Sequence, residues 1–181
     1  MARRPGTSKR DPDYKPPQLD AGRLRALALR YVERYATSEA KLRRYLARKL
    51  YERGWAGDAP HDVEALVAQL AGLGYVDDRT FGEARTRGLA SRGFGPRRVV
   101  ADLGAAGLAR DLASELGETV DAHAAAERFA QRRRFGPYDR SPPDPDRARK
   151  QFAAMLRAGH AVAVVKAVLG GQAAVDEYDT D

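Results

Sequence analysis

The sequence predicts an all-α fold, an elongated, curved array of three tandem three-helix repeats. Three observations predict it. Apolar residues fall at helical spacing, no segment alternates as a strand does, and a glycine-ended helix signature returns twice at near-constant intervals. The signature is KLYERGW, DLGAAGL and AMLRAGH, with Leu50/Gly54, Leu103/Gly107 and Met155/Gly159 each four apart.

Residues 1–19 hold four of the ten prolines (Pro5, Pro12, Pro16, Pro17) among mixed charges, and they read as a disordered basic tail. The first unit is expected at 20–75, with Ser38 as a helix start and Val63, Leu66, Val67, Leu70 and Leu73 forming one apolar stripe. The second spans 76–118. In GYVDDRTF, Gly74 ends a helix as its left-handed C′ residue and Asp77 caps the next, with Val76 and Phe81 spaced as a hydrophobic staple. In FGPRRVV, Gly95 is an N-cap, Pro96 sits at N1 and Phe94 faces Val100. The third unit, 119–171, is interrupted by a Pro-rich loop at 135–146, read as a surface excursion, after which Asp144-Pro145 starts a helix. Residues 172–181 form an acidic tail.

Composition fits such thin-cored units: 43% of the 181 residues are hydrophobic, 8% aromatic and 31% charged. The absence of cysteine excludes disulfides, thiolate catalysis and thiolate metal sites. No apolar stretch follows the basic N-terminus and none is long enough to span a bilayer, so a soluble, cytoplasmic chain is expected. The net charge is +7; residues 1–19 carry +3 and the acidic tail −4, which leaves +8 between them. A basic middle suits a polyanionic partner, either nucleic acid or an acidic protein surface.

Little in the sequence can do chemistry. His61, His123 and His160 lie far apart and are read as having no partner at i+3 or i+4, so no helix-borne metal site is expected locally. The glycine pairs in GLGYVD and GFGPRR follow no strand and lack phosphate-loop spacing. Asp77 and Asp78 read as a cap and its dipole-complementing neighbour rather than a catalytic pair. Trp55, Tyr75, Phe81 and Phe94 read as packing at helix junctions. No catalytic residue, metal or cofactor is assigned, and a non-enzymatic binding protein is expected.

What remains is cationic. Arg43, Arg44, Arg48 and Lys49, beside Lys41, decorate the second helix of unit one; Arg97 and Arg98 open that of unit two, and Arg147 and Lys150, beside Arg149, that of unit three. Arg132 and Arg133 extend the run before the loop. These ten are the candidate partner-binding residues, because one element is basic three times over. Gly74, Tyr75, Asp77, Asp78, Phe81, Gly93, Gly95 and Pro96 are expected to shape unit two instead.

These residues resemble the RecX family of bacterial regulators. The likeness is densest over GYVDDRTFGEARTRGLASRGFGPRRVVADLGAAGL, residues 74–108, is clear in TSEAKLRRYLARKL, is looser in AMLRAGHAVAVVKAVL, and covers about 22–170. It implies a monomeric helical-repeat protein that lodges in the groove of the RecA–DNA filament. There it would restrain recombinase, ATPase and co-protease activity in recombination, repair and the SOS response, with weak DNA binding besides. A stand-alone DNA- or RNA-binding helical module is the alternative. Gly82 and Gly88 depart from the family pattern, each at about 1 kcal/mol of helix propensity relative to Ala.

Overall fold

The computed structural model describes residues 16–170; both expected tails lie largely outside them. Among the described residues there are nine α-helices: α1 (Ala21–Arg34), α2 (Glu39–Arg53), α3 (Val63–Gly72), α4 (Asp78–Ala90), α5 (Pro96–Ala106), α6 (Arg110–Glu118), α7 (Ala122–Arg133), α8 (Pro145–Arg157) and α9 (Val162–Leu169), with a 3-10 turn at Gly136–Tyr138. The one extended pairing among them is an isolated parallel bridge between Leu19 and Trp55.

Local chemistry sets the helix starts. The Ser38 hydroxyl accepts from the Lys41 N–H (3.2 Å), Asp77 from Thr80 (3.0 Å) and Asp144 from Asp146 (3.0 Å), while Gly95 precedes Pro96 at N1, all where the sequence predicts. Asp20, Asp62 and Asp121 cap α1, α3 and α7 in the same way.

Three hydrophobic clusters follow the chain in order. Leu24, Ala28, Leu42, Leu46, Leu50, Val67 and Leu70 form the core of α1–α3; Leu42, Leu46 and Leu50 recur every four residues and keep one face of α2 inward. Phe81, Leu89, Val99, Leu103 and Leu116 form that of α4–α6. Phe129, Phe152, Met155, Val165 and Val168 form that of α7–α9. Each large apolar side chain buried this way contributes about 1.5–3 kcal/mol. Phe94 touches both the second and third clusters.

Several details differ from the sequence reading. Leu19, expected in the disordered tail, is fully buried in the first core, and its N–H donates to the Gly54 carbonyl (3.0 Å). Val76 joins the first core and Phe81 the second, so the anticipated staple divides between two bundles. Leu73, at the end of the predicted stripe, is exposed. The 135–146 loop is more than a surface excursion: Phe135 and Tyr138 pack on the third core, and Gln151 accepts from the Gly136 N–H (2.8 Å) and donates to Asp139 (2.7 Å). Gly82 is buried where α4 crosses α6; a Cβ there would stand 2.5 Å from Leu116 Cδ1 and 2.8 Å from Leu108 Cδ2. The α4–α6 crossing is also tied by a two-pronged Arg79–Glu115 pair (2.7 and 2.9 Å).

The bundles meet through their second helices, which run in series: the start of α2 abuts the end of α5, and the start of α5 abuts the end of α8. At the first junction the buried Ser38 hydroxyl donates to the Ala106 carbonyl (2.7 Å), Asp78 accepts from the Glu39 N–H (2.8 Å), and Arg44 reaches the Ala105 and Ala106 carbonyls (3.4 and 3.3 Å). At the second, the Gly95 N–H donates to the Ala158 carbonyl (2.9 Å), and His160 Nε2 faces the Gly93 carbonyl (3.0 Å). Gly107 and Gly159 hold equivalent places, with φ of 90° and 92°, and each lies so close to the abutting helix that a Cβ would collide with Ala40 or Arg98. Left-handed backbone and close approach together explain why the repeated signature ends in glycine.

Candidate functional site

The ten predicted cations occupy unlike surroundings. Arg43 is half-buried between Glu39 and Glu64 (2.6 Å to each), and Arg44 is spent on the α5 carbonyls. Both have partners within the fold. Arg48 and Lys49 converge on Glu52 (3.6 and 2.5 Å). Arg132 donates to the Arg92 carbonyl (2.9 Å), Arg133 lies over the Phe129 ring, and Arg147 is held by Asp139, Asp144 and the Pro142 carbonyl. Arg97, Arg98 and Lys150 are exposed and make no ion pair among the described residues. Arg97 and Arg98 open α5, where the helix end itself repels cations. Their exposure there is not a product of helix electrostatics.

Of the residues expected to shape unit two, Gly74 has φ 77° and follows α3, Asp77 caps α4, Phe81 is buried, and Gly93 lies so close to the Phe129 backbone that a Cβ would stand 2.7 Å from its nitrogen. Asp78 caps α2 across the junction rather than serving α4 alone. Tyr75 is half-exposed, so its ring does little packing. Thr80 hydrogen bonds hold the Asp77 carboxyl below its ordinary range, and Arg79 does the same for Glu115. Burial pushes Lys41 down, with Arg85 adding to the effect; its ammonium sits 4.7 Å from the centre of the Phe81 ring.

The three histidines are not gathered. His61 meets Trp55 edge-on, and His160 is buried beside Phe129; His123, expected to lack a partner one turn away, has Glu127 there at 3.8 Å. Burial pushes His160 below its ordinary value, which favours the neutral ring. Among the described residues, no group of three His, Asp or Glu side chains is placed to hold a metal ion, and no helix is long and apolar enough to cross a membrane.

An open groove of about 460 Å³ between α1 and α2 escaped the sequence reading. Tyr31 stacks on Tyr45 (4.2 Å between centroids, 16° between planes) and meets Tyr35 at 5.3 Å. Arg30, Arg34 and Arg48 line the same opening; Arg34 lies over Tyr35 (5.6 Å) and Arg48 over Tyr45 (5.8 Å). The pattern Arg30-Tyr31 then Arg34-Tyr35, repeated at one helical turn, was the available signal.

No family model matches the chain. Curated relatives do. The regulatory protein RecX of Ralstonia nicotianae is 32% identical over 158 residues, covering 86% of this chain and 92% of the relative. The chain belongs to the RecX family. Its counterpart in Agrobacterium fabrum is 32% identical over 136 residues (73% of each), and that in Myxococcus xanthus 27% identical over 175 residues (91% of this chain, 94% of the relative). A crystal structure of RecX from Lactobacillus salivarius superposes with a TM-score of 0.66 at 14% identity, over 82% of this chain and 93% of that one. A second, of regulatory protein RecX, gives 0.63 at 16% identity, over 81% and 72%. At such identities these structures speak for the shared helical fold.

Proposed function

We propose that this chain is a non-enzymatic, cytoplasmic, monomeric regulator that binds the RecA–DNA filament and inhibits its recombinase, ATPase and co-protease activities. Membership of the RecX family carries this reading, and the arrangement of the second helices supports it. Helices α8, α5 and α2 abut end to end, which is compatible with the proposed elongated, curved array of three units, a shape suited to a polymeric host. Exposed cations along that row meet carboxylates or phosphates of the filament by charge-assisted hydrogen bonds. Arg97, Arg98 and Lys150 make the leading contacts, because no internal partner engages their charge. Arg48, Lys49, Arg132 and Arg133 flank them, and Arg43, Arg44 and Arg147 act chiefly by holding the row in shape.

The test is recombinase ATPase and strand exchange on DNA, with the full chain added below stoichiometry. Inhibition is expected; no effect at any ratio refutes the reading. Reversing both charges, Arg97→Glu with Arg98→Glu, should leave the melting curve intact and abolish inhibition. Full inhibition by the folded variant would remove those two arginines from the interface.

A further inference from the structure

We propose that the groove between α1 and α2 binds single-stranded DNA, stacking a base on its tyrosines and taking the adjoining phosphates on its arginines. This goes beyond filament regulation, since it requires no recombinase.

The groove joins two features that neither packing nor solvation explains together. The first is a ring cluster with an accessible face. Tyr31 and Tyr45 pack on the first core, but Tyr35 continues their cluster outward and is half-exposed. Base–aromatic stacking needs such a face and accepts any base. The second is charge. Arg30, Arg34 and Arg48 bring three guanidinium groups to one opening; Glu52 pairs with Arg48 from outside the lining (3.6 Å), while Arg30 and Arg34 make no ion pair among the described residues. Like charges gathered this way repel, and a polyanion relieves the repulsion. Arg34 and Arg48 are already seated against tyrosine rings, so less side-chain freedom is lost when phosphate arrives.

The chemistry selects among polyanions. An acidic peptide would satisfy the arginines and leave the rings unused. Duplex DNA keeps its bases stacked inside and would reach only the charges. Apart from the tyrosine hydroxyls the lining offers a ribose 2′-hydroxyl no carboxylate or amide, so DNA is the committed ligand and a preference for RNA is an outcome of the test.

Fluorescence anisotropy with the full chain and labelled oligothymidylate, without recombinase, tests the proposal. Tyr35→Ala should weaken binding by roughly five- to a hundredfold and leave the salt dependence unchanged. Arg34→Ala should lower the slope of log affinity against log salt by about 0.7. Tyr35→Trp should retain binding and show quenching of the new indole, which keeps the test valid if the alanine variant fails to fold. Four results would overturn the proposal: an abasic phosphate chain or polyglutamate binding as tightly as the oligothymidylate, duplex matching single strands, RNA preferred more than tenfold, or folded Tyr35→Ala binding normally. Because filament inhibition is measured separately, either reading can fail alone.

Discussion

Two glycines inside α4 look equivalent in sequence and stand in opposite surroundings. Gly88 has no heavy atom within 4 Å of where its Cβ would lie, whereas at Gly82 the Cβ would press on Leu116 and Leu108. Gly88→Ala should therefore gain the full helix propensity difference, about 1 kcal/mol. For a chain of this size that raises the melting temperature by about 2–4 °C. Gly82→Ala gains the same propensity but overpacks the α4–α6 crossing, which costs about 1–3 kcal/mol. The net effect ranges from nothing to a loss of about 2 kcal/mol, so the two variants should differ by about 1–3 kcal/mol. Thermal and urea unfolding followed by far-ultraviolet circular dichroism measure the gap. Equal stabilisation by both substitutions would show that Leu108 and Leu116 do not close over α4, and the reasoning about that crossing would be wrong.

Ser38→Ala removes both the α2 cap and the donor to the buried end of α5, and should cost about 1–3 kcal/mol in urea unfolding; a loss within experimental error would mean that junction contributes nothing. Gly159→Ala places a side chain in left-handed backbone against Arg98 and should destabilise by more than the roughly 1–2 kcal/mol of the conformational penalty alone, read as a lowered melting temperature. His160 titrates below its ordinary 6.5 because it is buried, so the unfolded chain binds its proton first as pH falls. Its neutral form supports the fold fully above about 6.5, and that support is lost as pH drops through the folded value; an NMR titration midpoint above 6.5 would contradict this.

Much of the fold was legible because helix ends are written in local chemistry. Ser38, Asp77, Gly95-Pro96 and Asp144-Pro145 act within three residues of themselves, and each starts a helix where its sequence context says it should. The candidate site was much less legible. Tyr31 and Tyr45 come from separate helices and stack only once α1 lies on α2, a contact with no sequence periodicity of its own. The internal partners of the cationic residues were hidden for a related reason. Arg43 had a visible partner in Glu39 one turn away, but Glu64 and the α5 carbonyls that engage Arg43 and Arg44 arrive from elsewhere in the chain. Charge is visible in sequence, whereas its neutralisation is tertiary.

The seating of residues 17–19 has a consequence for assembly. At both junctions the end of a second helix receives the start of another, but the end of α2 receives Leu19 and Gln18, with Arg53 clasping the Pro17 carbonyl (2.6 Å). That short stretch acts as a stopper, because its backbone answers the Gly54 carbonyl that an incoming helix would otherwise engage. Docking another helix end-on against α2 would require prying the stopper loose and uncovering Leu19.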